Sequence, residues 1–398
     1  MKTISKMATS LLVVAGMLGV CAGAMPVLAQ DETRVAPVST PLADPDMNGI
    51  IKAFSLTESA RPSREFIKNW RKPKKILVTL DNNTNRYDWL KKVLPADVEL
   101  VGVTRGDQQG YLNALKEVDG VFGSCRKDTF ANVGPNFHWL HNTGVGIDQC
   151  FTGGIIPAGL KTGAVAITNS SRLEGNSVGG HGIALMMALS RGVDVYAVQQ
   201  HTKKFTTETY PRMWSLQGRL AVIAGFGGVG SQMAQLAHGL GMRVMVTNAA
   251  IPANVPDYIE KIGLPGELDN MVKDADVVLT ALPLTKETAG MFNTALINKF
   301  KKGAMFINVT RGDEQVDADV VAALESGQLS SAGFDDISND SPLYNARNVI
   351  ITPHVAAQNV DSNLGRGGEV IWAVARENMR RFANGEKMLS VVDIEKGF

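Results

Sequence analysis

The chain has 398 residues, of which 44% are hydrophobic and 20% are charged, so it contains enough apolar material for two hydrophobic cores. Its formal net charge is +1, and this balance gives no indication of nucleic acid or a charged membrane surface as a partner. With three cysteines and six scattered histidines, the composition predicts no metal site.

The first 29 residues have the pattern of a secretory signal peptide. Two lysines precede an apolar run over residues 7–20, and small residues follow it up to Ala29. This order predicts export to the periplasm or secretion, and the run is too short for a comfortable membrane span. The alternative is a mis-assigned start codon, with Met25 or Met47 as the first residue, which would leave the protein in the cytoplasm.

Residues 30–72 are polar and contain four prolines, so we interpret them as an N-terminal tail with one helix near its end. Strand-like and helical segments then alternate, which predicts a parallel sheet with helices on both faces. The strands of this first unit are predicted at 75–80, 98–103, 120–123, 139–142 and 164–169.

An apolar helix predicted over 177–198 leads into a second unit of the same kind. A final helix over 367–382 is expected to return to the first unit. The predicted fold class is α/β with two doubly wound parallel-sheet domains: a Rossmann dinucleotide-binding domain (177–357) is inserted into a flavodoxin-like substrate domain (73–176 and 358–398). Further strands are predicted at 220–224, from 243, and at 277–282, 304–309, 332–335 and 349–352.

The most specific motif follows the strand at 220–224. Gly225, Gly227 and Gly230 have G-x-G-x-x-G spacing and precede a helical pattern and a second strand. In that setting the glycines permit a tight turn, close approach of a pyrophosphate and packing of helix on strand, and the helix N-terminus faces the phosphates. The sequence therefore predicts a dinucleotide site rather than an empty glycine-rich turn. Its contacts are predicted at Gly225, Phe226, Gly227, Gly228, Val229 and Gly230.

The identity of the dinucleotide stays open between NAD and NADP. An acidic residue is expected at the end of the second strand of an NAD site, but this position holds Asn248. No arginine follows immediately to meet a 2′-phosphate. Asn248 can hydrogen-bond a ribose, and the absence of a repelling charge leaves NADP allowed.

Candidate catalytic groups follow three predicted strands of the second unit. Arg311 follows one strand, Asp335, Asp336 and Asp340 follow the next, and His354 follows the last; parallel strands bring such ends to one edge. Reduction of a 2-oxo acid needs a cation for the carboxylate, an acid for the carbonyl oxygen and a partner that keeps that acid protonated. Arg311 suits the first role, His354 the second and Asp340 the third.

Arg311 and His354 lie in two of five motifs with a common order and spacing: Thr143-Gly-Val-Gly-Ile-Asp148, Gly225-Phe-Gly-Gly-Val-Gly230, Asp276-Val-Val-Leu-Thr-Ala-Leu-Pro-Leu-Thr285, Lys302-Gly-Ala-Met-Phe-Ile-Asn-Val-Thr-Arg-Gly312 and Thr352-Pro-His354. Through these motifs the chain resembles the D-isomer-specific 2-hydroxyacid dehydrogenase family, close to glyoxylate/hydroxypyruvate reductases, over about residues 75 to 398.

The resemblance implies that Arg311 binds substrate and that His354 is the acid/base. It implies that Gly123 and Ser124 offer backbone N–H groups to the substrate carboxylate, and that the protein is a homodimer built on the nucleotide domains. It implies a contact between Asp335 and the nicotinamide amide. The further cofactor contacts are predicted at Asn248, Pro283 and Thr310.

Four positions depart from the family pattern: Asp340 aligns with a usual Glu, and Gly180, Ala281 and Asn248 replace residues that are commonly acid, His and acid. The favoured hypothesis is an NAD(P)-dependent reductase that converts a small 2-oxo acid, such as glyoxylate or hydroxypyruvate, to the D-2-hydroxy acid. The alternative is an exported NAD(P)-binding protein of the same fold with weak or lost turnover.

Two cysteines remain after the predicted signal peptide. Cys125 and Cys150 each follow an apolar strand-like run, so they could pair if the two strands are neighbours. Two solitary buried thiols are the favoured alternative.

Overall fold

The computed structural model describes residues 42–80, 85–123, 125–151, 160, 162–207, 213–357 and 368–397. The predicted signal peptide and the first part of the predicted tail lie outside these ranges. Within them, every helix is too short or too polar to cross a membrane. The same residues contain no cluster of His, Cys, Asp and Glu side chains arranged to hold a metal ion.

The first domain is built on a parallel sheet of five strands in the order β2-β1-β3-β4-β5, the flavodoxin-like arrangement. Its core strands are continuous apolar runs because helices cover both faces. The strands are β1 (Lys75–Leu80), β2 (Glu99–Thr104), β3 (Gly120–Gly123), β4 (Trp139–Asn142) and β5 (Ala166–Asn169). Helices α3 (Asn85–Lys91), α4 (Gln108–Leu115) and α5 (Thr129–Asn132) connect them.

The segment before β1 is folded from Leu42 onward, so the prediction of a tail up to residue 72 is wrong for that part. Helix α1 (Met47–Phe54) and the short helix α2 (Ser63–Phe66) lie here. The apolar residues of α1 recur with helical spacing and pack around Val374 and Leu389 near the C-terminus. This apolar stripe outweighs the polar composition of the segment as a whole.

The second domain contains a parallel sheet of seven strands in the order β12-β11-β10-β9-β6-β7-β8, which is the Rossmann order with one additional strand. The strands are β6 (Leu220–Ala224), β7 (Arg243–Thr247), β8 (Ile259–Gly263), β9 (Val277–Thr280), β10 (Ala304–Asn308), β11 (Leu329–Phe334) and β12 (Val349–Ile351). The helices are α8 (Gly228–Gly239), α9 (Leu268–Met271), α10 (Thr294–Ile297) and α11 (Asp317–Glu325).

Two helices, α6 (Gly175–Ser190) and α7 (Val193–His201), replace the single helix predicted over 177–198. The break lies at Gly192, whose φ of 65° takes the backbone out of the helical region. Helix α6 carries the chain from the first sheet to the second. Helix α12 (Gly368–Ala383) packs on the first sheet, where Phe382 stacks on Trp139 with ring centroids 5.1 Å apart.

Candidate active site

The glycine-rich turn between β6 and α8 has the shape that a dinucleotide pyrophosphate requires. Gly225 has a φ of 101°, and a Cβ atom there would collide with the carbonyl oxygen of Ala281. A Cβ atom on Gly230 would collide with the carbonyl oxygen of Gly225. A Cβ atom on Gly227 would have no described atom within 4 Å, so the space beside Gly227 is open. Helix α8 begins at Gly228, so its free N–H groups lie beside this open space. The residues therefore fit NAD or NADP.

The other predicted cofactor residues follow strands at the same edge of the sheet. Asn248 follows β7, and its side-chain amide donates to the carbonyl oxygen of Ala250 at 2.7 Å. Pro283 lies beyond β9, and its carbonyl oxygen accepts from Thr288. Thr310 lies beyond β10 and donates to Asn308 at 3.0 Å. Phe226 and Val229 pack partly buried against the domain core.

Arg311 lies at the entry to a 3₁₀ turn (Gly312–Glu314) just beyond β10, and its side chain crosses to the substrate domain. Its Nε is 3.3 Å from both carboxylate oxygens of Asp148, and its Nη2 is 3.2 Å from one of them. Its Nη1 donates to the carbonyl oxygen of Thr310 at 2.8 Å. A guanidinium has five N–H donors. Among the residues that the structure describes, these contacts leave one N–H on each Nη without a partner, and both could bind a ligand carboxylate.

His354 follows β12 and pairs with Asp336. Its backbone, with a φ of 53°, donates to the carbonyl oxygen of Asp335 at 2.6 Å. Its Nδ1 is 3.2 Å from Oδ1 of Asp336. The hydrogen bond and charge of Asp336 raise the pKa of His354 against the opposing effects of burial and of Arg311. Burial acts to raise the pKa of Asp336. The hydrogen bond with His354 and the nearby positive charges outweigh burial, so the pKa of Asp336 is lowered.

Asp340 does not reach His354, so the predicted pairing of these two residues is wrong. Asp340 is exposed, and its carboxylate accepts from Ser338, a contact that lowers the pKa of Asp340. Asp336 takes the predicted place because it lies one residue after Asp335 at the end of β11, the strand that pairs with β12. Asp340 instead lies in the turn that leads into the 3₁₀ helix Pro342–Asn345.

Asp335 is buried and holds the loop that carries His354. Its carboxylate accepts from the Thr352 hydroxyl at 2.5 Å, from the Val355 N–H at 2.9 Å and from the Ala356 N–H at 2.7 Å. His181 of α6 adds a 2.8 Å hydrogen bond to Thr352. These contacts fix the histidine loop to two elements of the nucleotide domain. The predicted contact of Asp335 with a nicotinamide amide stays a prediction.

The substrate-domain side of the crevice consists of the loops after β3 and β4. Gly123 ends β3, and the predicted contact at Ser124 lies outside the described residues. The side chain of Asn142 accepts from the Cys125 N–H at 3.0 Å and donates to the carbonyl oxygens of Gly144 and Gly146 at 3.2 and 2.8 Å. Asn142 thus connects the two loops.

A disulfide between Cys125 and Cys150 also joins these loops, with the two Cα atoms 4.9 Å apart. The favoured expectation of two solitary thiols is therefore wrong. The reason is the sheet order: β3 and β4 are hydrogen-bonded neighbours, so the residues that follow them meet at the same edge.

Three further acids around Arg311 were not predicted from the sequence. Asp148 stands in the Thr143–Asp148 motif, but nothing in the motif shows that it meets Arg311. Glu174 precedes α6 and has no sequence signal. Glu314 is fully buried and accepts from Thr280 at 2.5 Å and from Thr310 at 3.1 Å. Burial raises the pKa of Glu314 to about 8, against the lowering effect of these hydroxyl groups and of Arg311.

Comparison of the sequence with known proteins finds 2-hydroxyacid dehydrogenases and reductases. Residues 183–356 match the family model described as "D-isomer specific 2-hydroxyacid dehydrogenase, NAD binding domain". The chain is 25% identical over 303 residues to a glyoxylate reductase of Pyrococcus furiosus, covering 72% of this chain and 86% of that one. It is 32% identical over 238 residues to D-3-phosphoglycerate dehydrogenase 2 of Arabidopsis thaliana, covering 58% of this chain.

The chain spans 37% of the length of that plant relative and 57% of a D-3-phosphoglycerate dehydrogenase of Bacillus subtilis. Among solved structures, the NADPH-dependent glyoxylate/hydroxypyruvate reductase of Sinorhizobium meliloti has a TM-score of 0.64 at 21% identity, covering 82% of this chain and all of that one. At that identity the likeness shows the fold, which agrees with the two-sheet architecture. The chain is thus similar to D-isomer-specific 2-hydroxyacid dehydrogenases: residues 183–356 match the model of their NAD-binding domain, and its two-sheet fold is that of a glyoxylate/hydroxypyruvate reductase.

Proposed function

We propose that the protein reduces a small 2-oxo acid, such as glyoxylate or hydroxypyruvate, to the D-2-hydroxy acid with NADH or NADPH. One observation carries this proposal: Arg311 and His354 follow β10 and β12, the strands on either side of β11, on the edge that carries the dinucleotide turn, and Arg311 also contacts Asp148 of the substrate domain. A guanidinium and an imidazole are the two groups that reduction of a 2-oxo acid requires.

The roles of the side chains follow from their contacts. When bound, the reduced nicotinamide supplies a hydride to the carbonyl carbon. The free Nη donors of Arg311 bind the substrate carboxylate, and Asp148 holds the guanidinium side-on so that those donors face the crevice. His354 holds its proton on Nε2, which has no partner among the described residues, and delivers it to the carbonyl oxygen. Asp336 stabilises the imidazolium through Nδ1.

The choice between the two cofactors follows from the same edge of the sheet. Asn248, Ala249 and Ala250 follow β7, where the adenine ribose would lie, and none of these three side chains is charged, which supports binding of either NAD or NADP. Fluorescence titration with NADH and NADPH measures the preference directly.

A panel of 2-oxo acids tests the proposal. Purified protein is assayed with glyoxylate, hydroxypyruvate and pyruvate by following oxidation of NADH and NADPH. We expect turnover of at least one acid and a loss of roughly 10²–10⁴-fold in kcat/KM for Arg311→Ala, because the carboxylate loses a charge-assisted fork. Arg219→Ala is the matched control: Arg219 pairs with Asp276 at the opposite end of the sheet.

Turnover that Arg311→Ala leaves intact would refute the assignment. Tight dinucleotide binding without oxidation of any cofactor, at any pH, would instead support the alternative of a binding protein that has lost turnover. The contact between His354 and Asp336 argues against that alternative, since a protein without turnover has no need of a carboxylate that keeps a crevice imidazole protonated.

We also propose that the chain is exported to the periplasm or secreted. The disulfide between Cys125 and Cys150 supports export, because structural disulfides persist in oxidising compartments and are rare in the cytoplasm. N-terminal sequencing of protein from its native host tests this: a mature chain beginning near Gln30 in an extracytoplasmic fraction is expected. A cytoplasmic protein that retains Met1 or starts at Met25 or Met47 would contradict it.

Finally, we propose a homodimer built on the nucleotide domain. Half of the large apolar side chains that are exposed in the described residues lie in one stretch at the end of α6, along α7 and beyond it: Met187, Val193, Val198 and Phe205. We take this stretch as the interface, because exposed apolar side chains are typical of surfaces that contact another protein. Light scattering is expected to give a dimer, and Phe205→Glu is expected to shift it to monomer, whereas Leu264→Glu, also exposed, is not. A monomeric wild type would refute this proposal.

A further inference from the structure

Glu314 is the last residue of the 3₁₀ turn that follows Arg311, and it is fully buried. Its backbone N–H donates to the carbonyl oxygen of Arg311 at 3.1 Å, which closes the turn. Its carboxyl oxygens lie 3.1 and 3.3 Å from the hydroxyl oxygen of Thr310, the residue before Arg311. The contact between Glu314 and Thr310 therefore joins the two ends of the segment that carries Arg311.

The same carboxyl group belongs to a chain of four polar side chains at the sheet edge. The hydroxyl oxygen of Thr280, the last residue of β9, lies 2.5 Å from Oε2 of Glu314. The hydroxyl oxygen of Thr310 lies 3.0 Å from Oδ1 of Asn308, the last residue of β10. Strands β9 and β10 are hydrogen-bonded neighbours, so the chain connects the segment that carries Arg311 to two strands of the core.

The three contacts in this chain require three protons, and the two hydroxyl groups supply only two. Thr280 and Thr310 each have one hydroxyl proton. Asn308 cannot supply the third, because its Nδ2 donates to the carbonyl oxygen of Arg311 at 2.7 Å and its Oδ1 accepts the Thr310 N–H at 2.9 Å. The third proton is supplied by the carboxyl group of Glu314. As a neutral acid it donates to Thr310, while the Thr310 hydroxyl donates to Asn308.

The surroundings of Glu314 favour this neutral form. Burial raises the pKa of Glu314 to about 8, and the negative charge of Asp336, after β11, acts in the same direction. The two threonine hydroxyl groups and the positive charge of Arg311 favour the ionised form without outweighing burial. Both charged groups have other partners, since Arg311 pairs with Asp148 and Asp336 pairs with His354. The count of protons and the electrostatics therefore agree.

We propose that Glu314 is a positioning residue for the proposed reduction, on which this inference rests: as a neutral acid it donates to Thr310 and holds Arg311 in place for the substrate carboxylate. Loss of its proton leaves one contact of the chain without a hydrogen and puts a negative charge in the protein interior. The segment that carries Arg311 then loosens. Affinity for the 2-oxo acid therefore falls as the pH rises through the pKa of Glu314.

Infrared spectroscopy tests the protonation of Glu314 without requiring turnover. The difference spectrum between wild type and Glu314→Gln should contain the carbonyl band of a protonated carboxyl group at neutral pH. This band should disappear as the pH rises through about 8. The difference spectrum between wild type and Glu325→Gln, an exposed glutamate on α11, is the control and should lack the band. Absence of the band from the first difference spectrum at neutral pH would overturn the proposal.

Equilibrium binding tests the effect on Arg311. Oxamate has the carboxylate and carbonyl groups of a 2-oxo acid but is not reduced, so it is titrated by calorimetry into protein saturated with NADH or NADPH. Glutamine offers an N–H to Thr310 and a carbonyl oxygen to Thr280 at every pH, so Glu314→Gln should bind oxamate within about twofold of wild type at about pH 6.5. Between about pH 6.5 and about pH 9.5, wild-type affinity should fall at least about fivefold more than that of Glu314→Gln.

Two comparisons make this difference specific to the Glu314 proton. His354 loses its proton in both proteins, so its effect cancels in the ratio of their affinities. Glu314→Leu offers neither hydrogen-bonding group and should bind oxamate at least about fivefold more weakly than Glu314→Gln at about pH 6.5. Glu325→Gln should keep the wild-type pH dependence. Equal pH dependence in wild type and Glu314→Gln, or equal affinity of Glu314→Gln and Glu314→Leu, would overturn the proposal.

Turnover measured on the same preparations distinguishes this inference from the proposed function. Active reduction by a protein whose infrared spectrum lacks the Glu314 band would overturn the role of Glu314 and leave the reductase assignment in place. The band, together with the predicted pH dependence of oxamate binding, in a protein that reduces no 2-oxo acid would support the role of Glu314 and overturn the reductase assignment.

Discussion

The two sides of the crevice are built differently. On the nucleotide domain, the reactive groups follow strand ends and are anchored to backbone: His354 donates its N–H to Asp335, Asp335 accepts two loop N–H groups, and Arg311 donates to the carbonyl oxygen of Thr310. On the substrate domain, two short loops are joined to each other by the Asn142 amide and one disulfide, and the Asn169 amide donates to the carbonyl oxygen of Val145 in the second loop. The difference suggests that changes on the first side alter the rate, and changes on the second alter affinity for substrate.

The largest effect is expected for the proposed proton donor. His354→Gln should lower kcat by roughly 10²–10⁴-fold, because a glutamine amide cannot deliver a proton to the carbonyl oxygen, and should leave dinucleotide binding unchanged. Stopped-flow and steady-state rates check this, with His238→Gln on α8, whose ring stacks on Tyr258, as the control. A variant that kept full kcat would show that His354 does not determine the rate.

The disulfide tests the other side. Replacing Cys125 and Cys150 with serine should lower the free energy of unfolding by about 3 kcal/mol, since the bridge closes a loop with a sequence separation of 25. The substrate loops should also loosen, so KM for the 2-oxo acid should rise while dinucleotide affinity holds. Denaturant melts with and without reductant, together with KM values, measure both effects. An equal loss of dinucleotide and substrate affinity would contradict the division between the two sides.

Substitution of Asp336 and of Asp340 tests which of the two aspartates is the partner of His354. Asp336→Asn removes the main cause of the raised pKa of His354, so the pKa should fall. Reduction needs protonated His354 and is lost as the pH rises through that pKa. The alkaline limb of the kcat/KM profile should therefore move to lower pH, while Asp340→Asn leaves it in place. If Asp340→Asn moved the limb instead, the original sequence prediction would be restored.

The smallest effect is expected for the residue that joins the two sides. Asp148→Asn weakens the side-on contact with Arg311, so the guanidinium should become less ordered and KM for the 2-oxo acid should rise by roughly three- to tenfold with kcat little changed. Asp128→Asn, at an exposed hydrogen bond of the same domain, is the control. A drop in kcat at unchanged KM would place Asp148 with the rate-determining groups.

Residues close in sequence to a strand end could be predicted, because strand polarity alone brings them to one edge. This is how Arg311, His354 and the glycine turn were located. The same rule could not distinguish Asp336 from Asp340, because both follow β11 and only the path of the loop decides which faces His354. Strand β8 was not predicted because it lies at the sheet edge and exposes Glu260 and Lys261.

The contacts between the two domains could not be predicted at all. Asp148 meets Arg311 across 163 positions of sequence, and neither residue type nor spacing indicates that meeting. Glu174 lies beside the dinucleotide turn because Gly175 and Gly228 allow two backbone segments to approach closely. This contact depends on the tertiary fold and produces no periodic pattern in the sequence. The break at Gly192 was missed for a local reason: an apolar pattern continues through it, and one glycine does not always end a helix.

The central claim is that Arg311 and His354 act together on a 2-oxo acid at a bound nicotinamide. Chiral analysis of the product formed from hydroxypyruvate and NADH or NADPH tests it most directly. We expect D-glycerate as the sole enantiomer from the wild-type protein, formed at least about 100-fold more slowly by Arg311→Ala and by His354→Gln. Formation of L-glycerate, or of either enantiomer at an undiminished rate by those variants, would contradict it.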